Sequence, residues 1–247
     1  MKRNKKNNKT VNKRIIITIL IVLIILGLSF SIFIYVNENK KDNISNQDDK
    51  TNISDTDNAL EDVISEQIIL DYQKQFNNTD IIGELEIPNT NLKVPVAHTI
   101  DNEFYLNHLI DKSLNTIGSV FLDYRNRVND RKIIVYGHNS QNIYTDFRVL
   151  ENYLDWNYYL NHSDIYFRTM DKRNHYLIFS VYIATSDYRY INLEFTNDQY
   201  GYHLQYLKDK SIYETGINVD GDDEIIVLQT CYYNPMGSYL IIVGKKV

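Results

Sequence analysis

Ile225-Ile226-Val227-Leu228-Gln229-Thr230-Cys231 is an apolar run that ends in the only cysteine of the chain. A second run, Ile133-Ile134-Val135-Tyr136, leads into Gly137-His138-Asn139, which places His138 93 residues before Cys231. Short apolar runs of this kind read as strands. Two strand-like segments therefore each deliver one half of a Cys/His pair. That is what a thiol nucleophile needs, because a free thiol with a pKa near 8.5 is only about a few per cent thiolate at pH 7, and a nearby imidazole is the usual aid.

Outward from these two runs, further strand-like segments alternate with turn signals: Ile81–Ile87, Leu92–Ala97, Ser119–Asp123, Ile165–Arg168, Tyr176–Ala184 and Tyr239–Val243. With Lys132–Tyr136 and Glu224–Thr230, these short strands predict a mainly β fold, a closed or nearly closed barrel. Two interruptions read as helical, Ile143–Tyr153 and Thr196–Lys208, the second opening with Thr196-Asn197-Asp198 as a cap. Before the first strand, Leu60, Val63, Ile64, Ile68, Leu70, Tyr72 and Phe76 recur mostly every three or four residues, which predicts an amphipathic helix over Ala59–Phe76 packed on the domain.

The N-terminal part is of a different character. Residues 1–14 carry seven Lys/Arg and no acid, and residues 15–36 form a 22-residue stretch without a charge. As a helix such a stretch spans roughly 33 Å, enough for a hydrocarbon core of about 30 Å. A cleavable signal peptide would have a shorter apolar core and a small-residue cleavage site, and Ser29–Tyr35 offers none that convinces. The reading is one transmembrane helix at 15–36, with 1–14 a cytoplasmic basic tail and the rest outside the cell. Residues 37–58 are rich in Asn, Asp, Lys and Ser and read as a polar linker, so the extracellular folded domain is expected over 59–247.

Removing the +7 tail from the net charge of −6 leaves −13 for the remainder. A nucleic-acid binder would want a basic face, so that class is disfavoured. One cysteine cannot form an internal disulfide, and an unpaired external thiol calls for a chemical reason to exist. The plain alternatives are a Cys that is a small buried hydrophobe and a His that is a satisfied structural residue.

With their flanking residues the pair gains specificity. Tyr136-Gly137-His138-Asn139 and Leu228-Gln229-Thr230-Cys231 resemble the signature segments of sortases, membrane-anchored cysteine transpeptidases of Gram-positive bacteria. The resemblance covers roughly residues 60–247. It extends to Gly118-Ser119-Val120-Phe121-Leu122-Asp123 before the His strand, and to the helical insertion ending in Ser211-Ile212-Tyr213-Glu214-Thr215-Gly216, which is similar to class B members. It implies an eight-stranded sortase-type barrel with an N-terminal helix and a helical insertion before the Cys strand. The implied chemistry is attack by Cys231 on the Thr carbonyl of a C-terminal sorting signal in secreted proteins, with His138 as proton donor and then base. A peptidoglycan-precursor or pilin amine resolves the acyl-enzyme, and no metal or organic cofactor is needed.

The chain departs from that pattern at one position. Class B members carry an Arg just before the last apolar strand, where this sequence has Tyr239, or Ser238 if the loop slips by one, and no Arg follows Arg189. The oxyanion partner is therefore open: a neutral donor from Tyr239 or Ser238, a distant Arg125, Arg148 or Arg189 folded into the site, or a slow or degenerate enzyme. Thr230 either positions the substrate carbonyl or packs on the barrel wall. His98, His108, His162, His175 and His203 are scattered singly, without a zinc-ligand spacing. Tyr153–Tyr159 and Tyr182–Tyr190 suit a peptide groove, although a chain with 21 tyrosines uses most of them for packing. Two alternatives to a working transpeptidase stand beside it. One is a tethered peptide- or wall-binding module with the same barrel. The other is a peptidoglycan-amidase-like cysteine hydrolase, whose order of Cys before His is the reverse of the order here.

Overall fold

A computed structural model describes residues 50–247, with side chains from residue 60 onward. The basic tail 1–14, the apolar segment 15–36 and most of the expected linker lie outside the described residues. Among those described, no helix is long and apolar enough to cross a membrane. The chain divides into two units, Met1–Thr56 and Asp57–Val247, and the second holds eight strands.

These are β1 (Ile81–Glu86), β2 (Lys93–Ala97), β3 (Phe121–Leu122), β4 (Lys132–Tyr136), β5 (Asp164–Arg168), β6 (Arg173–Ala184), β7 (Ile225–Tyr233) and β8 (Met236–Lys246). All eight fall on segments expected to be strands, and they close a barrel in the order β1-β2-β3-β4-β7-β8-β6-β5. The β2/β3 and β4/β7 neighbours are parallel and the others antiparallel, so the sheet is mixed.

The unbroken apolar runs of β4 and β7 have a structural reason. Ile133, Val135, Ile226 and Leu228 point into the barrel, where Val181, Leu240 and Ile242 meet them. The alternate residues Ile134, Ile225 and Val227 point outward and are covered by a second cluster built on Tyr200, Leu204 and Leu207. Those three belong to the helix α3 (Asn197–Asp209), capped by Thr196 as the sequence led one to expect, with Gln199 completing a reciprocal box. A strand buried on both faces cannot alternate.

Three expectations need correction. The segment Ile143–Tyr153, read as helical, is so only from Asp146, as a 3-10 helix over Asp146–Leu154, and a separate short helix α2 (Trp156–Asn161) is capped by the Asp155 side chain. The first helix, α1, runs Lys50–Phe76, so nine residues of the expected linker are helical. Once nucleated, a helix gains a hydrogen bond for each residue added, and polar residues do not stop it. The face of α1 that packs on the barrel is also not the apolar one expected, since Leu60, Val63, Ile64 and Leu70 are exposed. Its buried face carries Ser65 and Ile69 instead, held by polar bonds. Arg168 on β5 donates to Glu61 Oε1 (2.6 Å) and Ser65 Oγ (2.7 Å), and Tyr72 donates to buried Glu84 (2.6 Å).

Lys132, the first residue of β4, is buried, and its Nζ lies 2.8 Å from Nε2 of His203 on α3. Burial first, and the neighbouring cation second, push the His203 imidazole down to about 3. Burial likewise pushes the Lys132 ammonium down to about 7. Between pH 3 and 6.5 the unfolded chain therefore binds a proton at residue 203 that the folded chain does not, and stability rises with pH across that window. Urea unfolding of the wild type at pH 5 and pH 7 is expected to show about 2 kcal/mol of pH-linked stability that His203→Gln lacks; equal pH slopes in the two proteins would refute a neutral buried His203.

Candidate active site

The parallel pairing of β4 with β7 sets Tyr136 opposite Gln229, so the segment that follows β4 runs beside Cys231. Four hydrogen bonds fasten that segment to β7. The Gly137 N–H donates to Gln229 O (3.3 Å), the Thr230 hydroxyl to Gly137 O (2.7 Å), Asn139 Nδ2 to Cys231 O (3.0 Å), and the Tyr233 hydroxyl to Asn139 O (2.7 Å). Asn139 is buried, and its amide is oriented by Glu151 Oε1 at 2.5 Å from the 3-10 helix. His138 is thereby bracketed on both sides by bonds to the strand that carries the thiol.

Two glycines allow this closeness. A Cβ on Gly137 would lie 2.6 Å from the Phe147 ring, and one on Gly118 would lie 2.6 Å from Tyr105 O and 2.7 Å from His138 Cδ2. Gly118 also has φ of +64°, a region that disfavours other residues. The imidazole itself is held by Leu106, whose carbonyl lies 2.8 Å from His138 Nε2. A carbonyl only accepts, so Nε2 carries the proton, and in the neutral ring Nδ1 is the free base. Leu106 sits at the end of a 3-10 turn, Phe104–Leu106, anchored by the Tyr105 hydroxyl through Asn78 (2.7 Å) and Asp80 (3.0 Å).

His138 and Cys231 line one cavity of about 300 Å³, together with Leu106, Phe121, Tyr136 and Tyr239. A larger cavity, about 620 Å³ around Arg125, Arg131 and Lys132, contains neither His138 nor Cys231. The catalytic-type cavity lies on the outer face of the barrel, because Cys231 alternates with buried Thr230 and shares its face with Val227. Cys231 is not the end of its strand, as the sequence suggested. β7 continues to Tyr233 and turns directly into β8, so that Cys231 pairs with Tyr239 and Tyr232 with Ser238. Residues paired across two strands share a face, which puts Tyr239 beside the thiol.

The other sequence candidates separate cleanly. Ser238 is buried and donates to Pro235 O (2.6 Å) within the hairpin turn, away from the cavity. Thr230 spends its hydroxyl proton on Gly137 and acts as a strut. None of the three distant arginines reaches the cavity. Arg125 forks onto Asp123 (2.9 and 2.7 Å), Arg148 donates to Ser140 O (2.7 Å), and Arg189 forks onto Asp187 (2.9 and 2.6 Å). No Lys or Arg lines the cavity among the described residues. With no cation to favour the thiolate, burial pushes the Cys231 thiol up. Among the described residues no cluster of metal-ligating side chains is present.

Asn139, Glu151, Leu106 and Gly118 are site residues that sequence reasoning misses. Asn139 and Gly118 stand within the motif segments quoted above, which give them no role; Glu151 and Leu106 act through a remote carboxylate and a backbone carbonyl, which leave no periodic signal.

Comparison with known proteins agrees on one family. A family model described as a sortase domain matches residues 85–247. Sortase B of Listeria monocytogenes serovar 1/2a is 36% identical over 158 residues, which cover 62% of this chain and 63% of that protein, slightly under two thirds of its length. Sortase B of Staphylococcus aureus is 33% identical over 175 residues, or 69% of this chain and 71% of the relative. A solved Staphylococcus aureus sortase B-substrate complex superposes with a TM-score of 0.65 at 31% identity, covering 74% of this chain and 91% of that one.

Gly118→Ala tests the bracket around His138. Its Cβ has room only if the Tyr105–Leu106 backbone or the imidazole moves, and a displacement on the ångström scale costs about 10²-fold in rate. Peptide cleavage is expected to fall by about that factor while far-ultraviolet circular dichroism and the count of one titratable thiol stay as in the wild type; full activity in the variant would show that His138 is not held in place there.

Proposed function

This chain belongs to the sortase family, with class B relatives, and on that premise we propose that it is a cysteine transpeptidase acting on the C-terminal sorting signals of secreted proteins. The observation that carries the reading is the shared cavity of Cys231 and His138, with Nδ1 of the imidazole free and Nε2 tied to Leu106.

In the proposed reaction, Nδ1 takes the thiol proton and Sγ attacks the substrate carbonyl carbon. The C–N bond breaks as Nδ1 returns that proton to the leaving amine, and a thioester on Cys231 remains. An acceptor amine then attacks the thioester, passes a proton to Nδ1, and frees the thiol as the new amide forms. Throughout, the Leu106 carbonyl holds the ring and favours its protonated form. One solved sortase B, 28% identical over 78% of this chain, is complexed with triglycine, which supports an amine acceptor, a peptidoglycan precursor or a pilin amine, for this chain too.

Tyr239 is the proposed oxyanion partner, because it is the residue paired with Cys231 across the hairpin and it lines the cavity. A neutral phenol donates a weaker hydrogen bond than a guanidinium, so the enzyme is expected to be slow. The lack of a cation together with the raised thiol is what favours the second reading, a sortase-like module that binds peptide or wall fragments with little turnover. Attachment to the cell membrane through residues 15–36, with 37–49 as spacer and the catalytic domain outside, is supported by the 22 uncharged residues behind a basic flank.

Intact mass spectrometry of residues 37–247 with a library of sorting-signal peptides tests the reaction. A thioester adduct on the wild type and none on Cys231→Ala is expected; no adduct on folded, reduced protein moves the function to the binding module. Tyr239→Arg is expected to raise the acylation rate by about tenfold, the difference between a neutral and a charge-assisted donor. Iodoacetamide alkylation of Cys231 should have its inflection at a higher pH than glutathione measured alongside, because burial leaves less thiolate at any given pH; a lower inflection would reveal an activating charge.

A further inference from the structure

Lys132 opens β4, at the far end of that strand from His138, and its side chain is 3% exposed. Its ammonium donates to the carbonyls of Tyr190 (2.8 Å) and Asn192 (2.6 Å), besides facing His203. The carbonyl between them, on Ile191, accepts from Arg125 Nη2 at 3.1 Å. Three consecutive carbonyls of the connection between β6 and α3 are thus held by two cationic side chains from the β3–β4 part of the barrel. An apolar residue would be the easy occupant of so buried a position, since a desolvated ammonium is costly unless all its donors are placed.

The same connection backs the Cys231 cavity without lining it. Tyr188 meets the Tyr239 ring edge-on at 5.8 Å and the Tyr190 ring at 6.4 Å, and Tyr239 lines the cavity beside the thiol. Arg125 acts on the opposite side at one remove: the Asp123 carboxylate it grips also accepts from the hydroxyl of Tyr136, a lining residue, at 2.7 Å. Burial by itself would raise the Asp123 carboxyl, but the Arg125 fork and the Tyr136 hydroxyl outweigh it and hold it below the usual range, so the link is ionic. One pair of basic side chains therefore braces, each through a partner, two aromatic lining residues, Tyr239 and Tyr136, that come from distant parts of the chain.

We propose that Lys132 and Arg125 are positioning residues that pin the 185–196 connection as a fixed backing for Tyr239, so that the placing of that phenol beside Cys231 depends on them. The use of Tyr239 in the reaction rests on the transpeptidase reading above; the pin itself rests on geometry alone.

Lys132→Met keeps the stem and removes the donors, and Arg125→Gln, at a more exposed position, releases Ile191 O and serves if the first variant does not fold. Two measurements are made on each folded variant: amide hydrogen exchange over 185–196, and kcat and KM for an internally quenched peptide bearing the motif selected from the library. Exchange in that segment is expected to speed up about tenfold, with kcat about tenfold lower and KM changed less than about threefold, the scale of a lost charged hydrogen bond. Unchanged exchange over 185–196, or an unchanged kcat, overturns the proposal. If the wild type turns over no peptide, the transpeptidase reading fails, and the exchange measurement still decides whether the two basic side chains pin the connection.

Discussion

The parallel pairing of β4 and β7 is the constraint on which the site depends. Parallel neighbours cannot be joined by a tight turn, so His138 and Cys231 must come from segments far apart in sequence, and the chain between them has to cross over. That crossover supplies β5 and β6, which continue the barrel wall beyond β8, and the β6–α3 connection and α3, which cover the outer face of the β4/β7/β8 sheet. The cavity is the place where this cover stops. The same topology that separates the two reactive residues in sequence therefore also builds the shelter around them.

Hydrogen bonding then does what strand pairing alone cannot. A ladder sets the backbone register, but the residue after the last rung is free unless side chains hold it. Thr230, Asn139 and Tyr233 provide those bonds, and each joins the His138 segment to β7 itself, with Asn139 tied besides to Glu151 of the 3-10 helix. Any breathing of β7 consequently carries both reactive groups together, which preserves their relation through small motions of the barrel.

Much of this is legible in the sequence and some is not, for definable reasons. Apolar runs mark all eight strands, because a barrel wall must bury at least one face of each strand. The flanks of His138 and Cys231 mark the site, because their spacing at strand ends is local. The packed face of α1 escapes such reading, because its contact with the barrel runs through Arg168, Glu61, Ser65 and Glu84, and periodicity in apolar residues says nothing about a buried polar seam. The 3-10 helix at 146–154 passes for an α-helix because Phe147, Leu150 and Tyr153, which are buried, recur every three residues, a spacing that both helix types share. The three distant arginines are candidate donors on sequence, but each has a carboxylate or carbonyl partner close by, and only coordinates reveal such local satisfaction.

The hairpin of β7 and β8 leaves the identity of the residue facing Cys231 to the length of a very short turn. Asn234 and Pro235 connect the strands, with an irregular register at Tyr232/Tyr233, and side chains on β8 alternate between the outer cavity face and the barrel interior. Loss or gain of a single codon in that turn would exchange Tyr239 for a neighbour while the distal rungs, from Leu228 and Ile242 to Ile225 and Lys245, could keep their pairing through a compensating bulge. In a lineage, the group that meets the developing negative charge can thus be replaced by drift in turn length as readily as by point substitution, and the barrel would carry no other trace of the change.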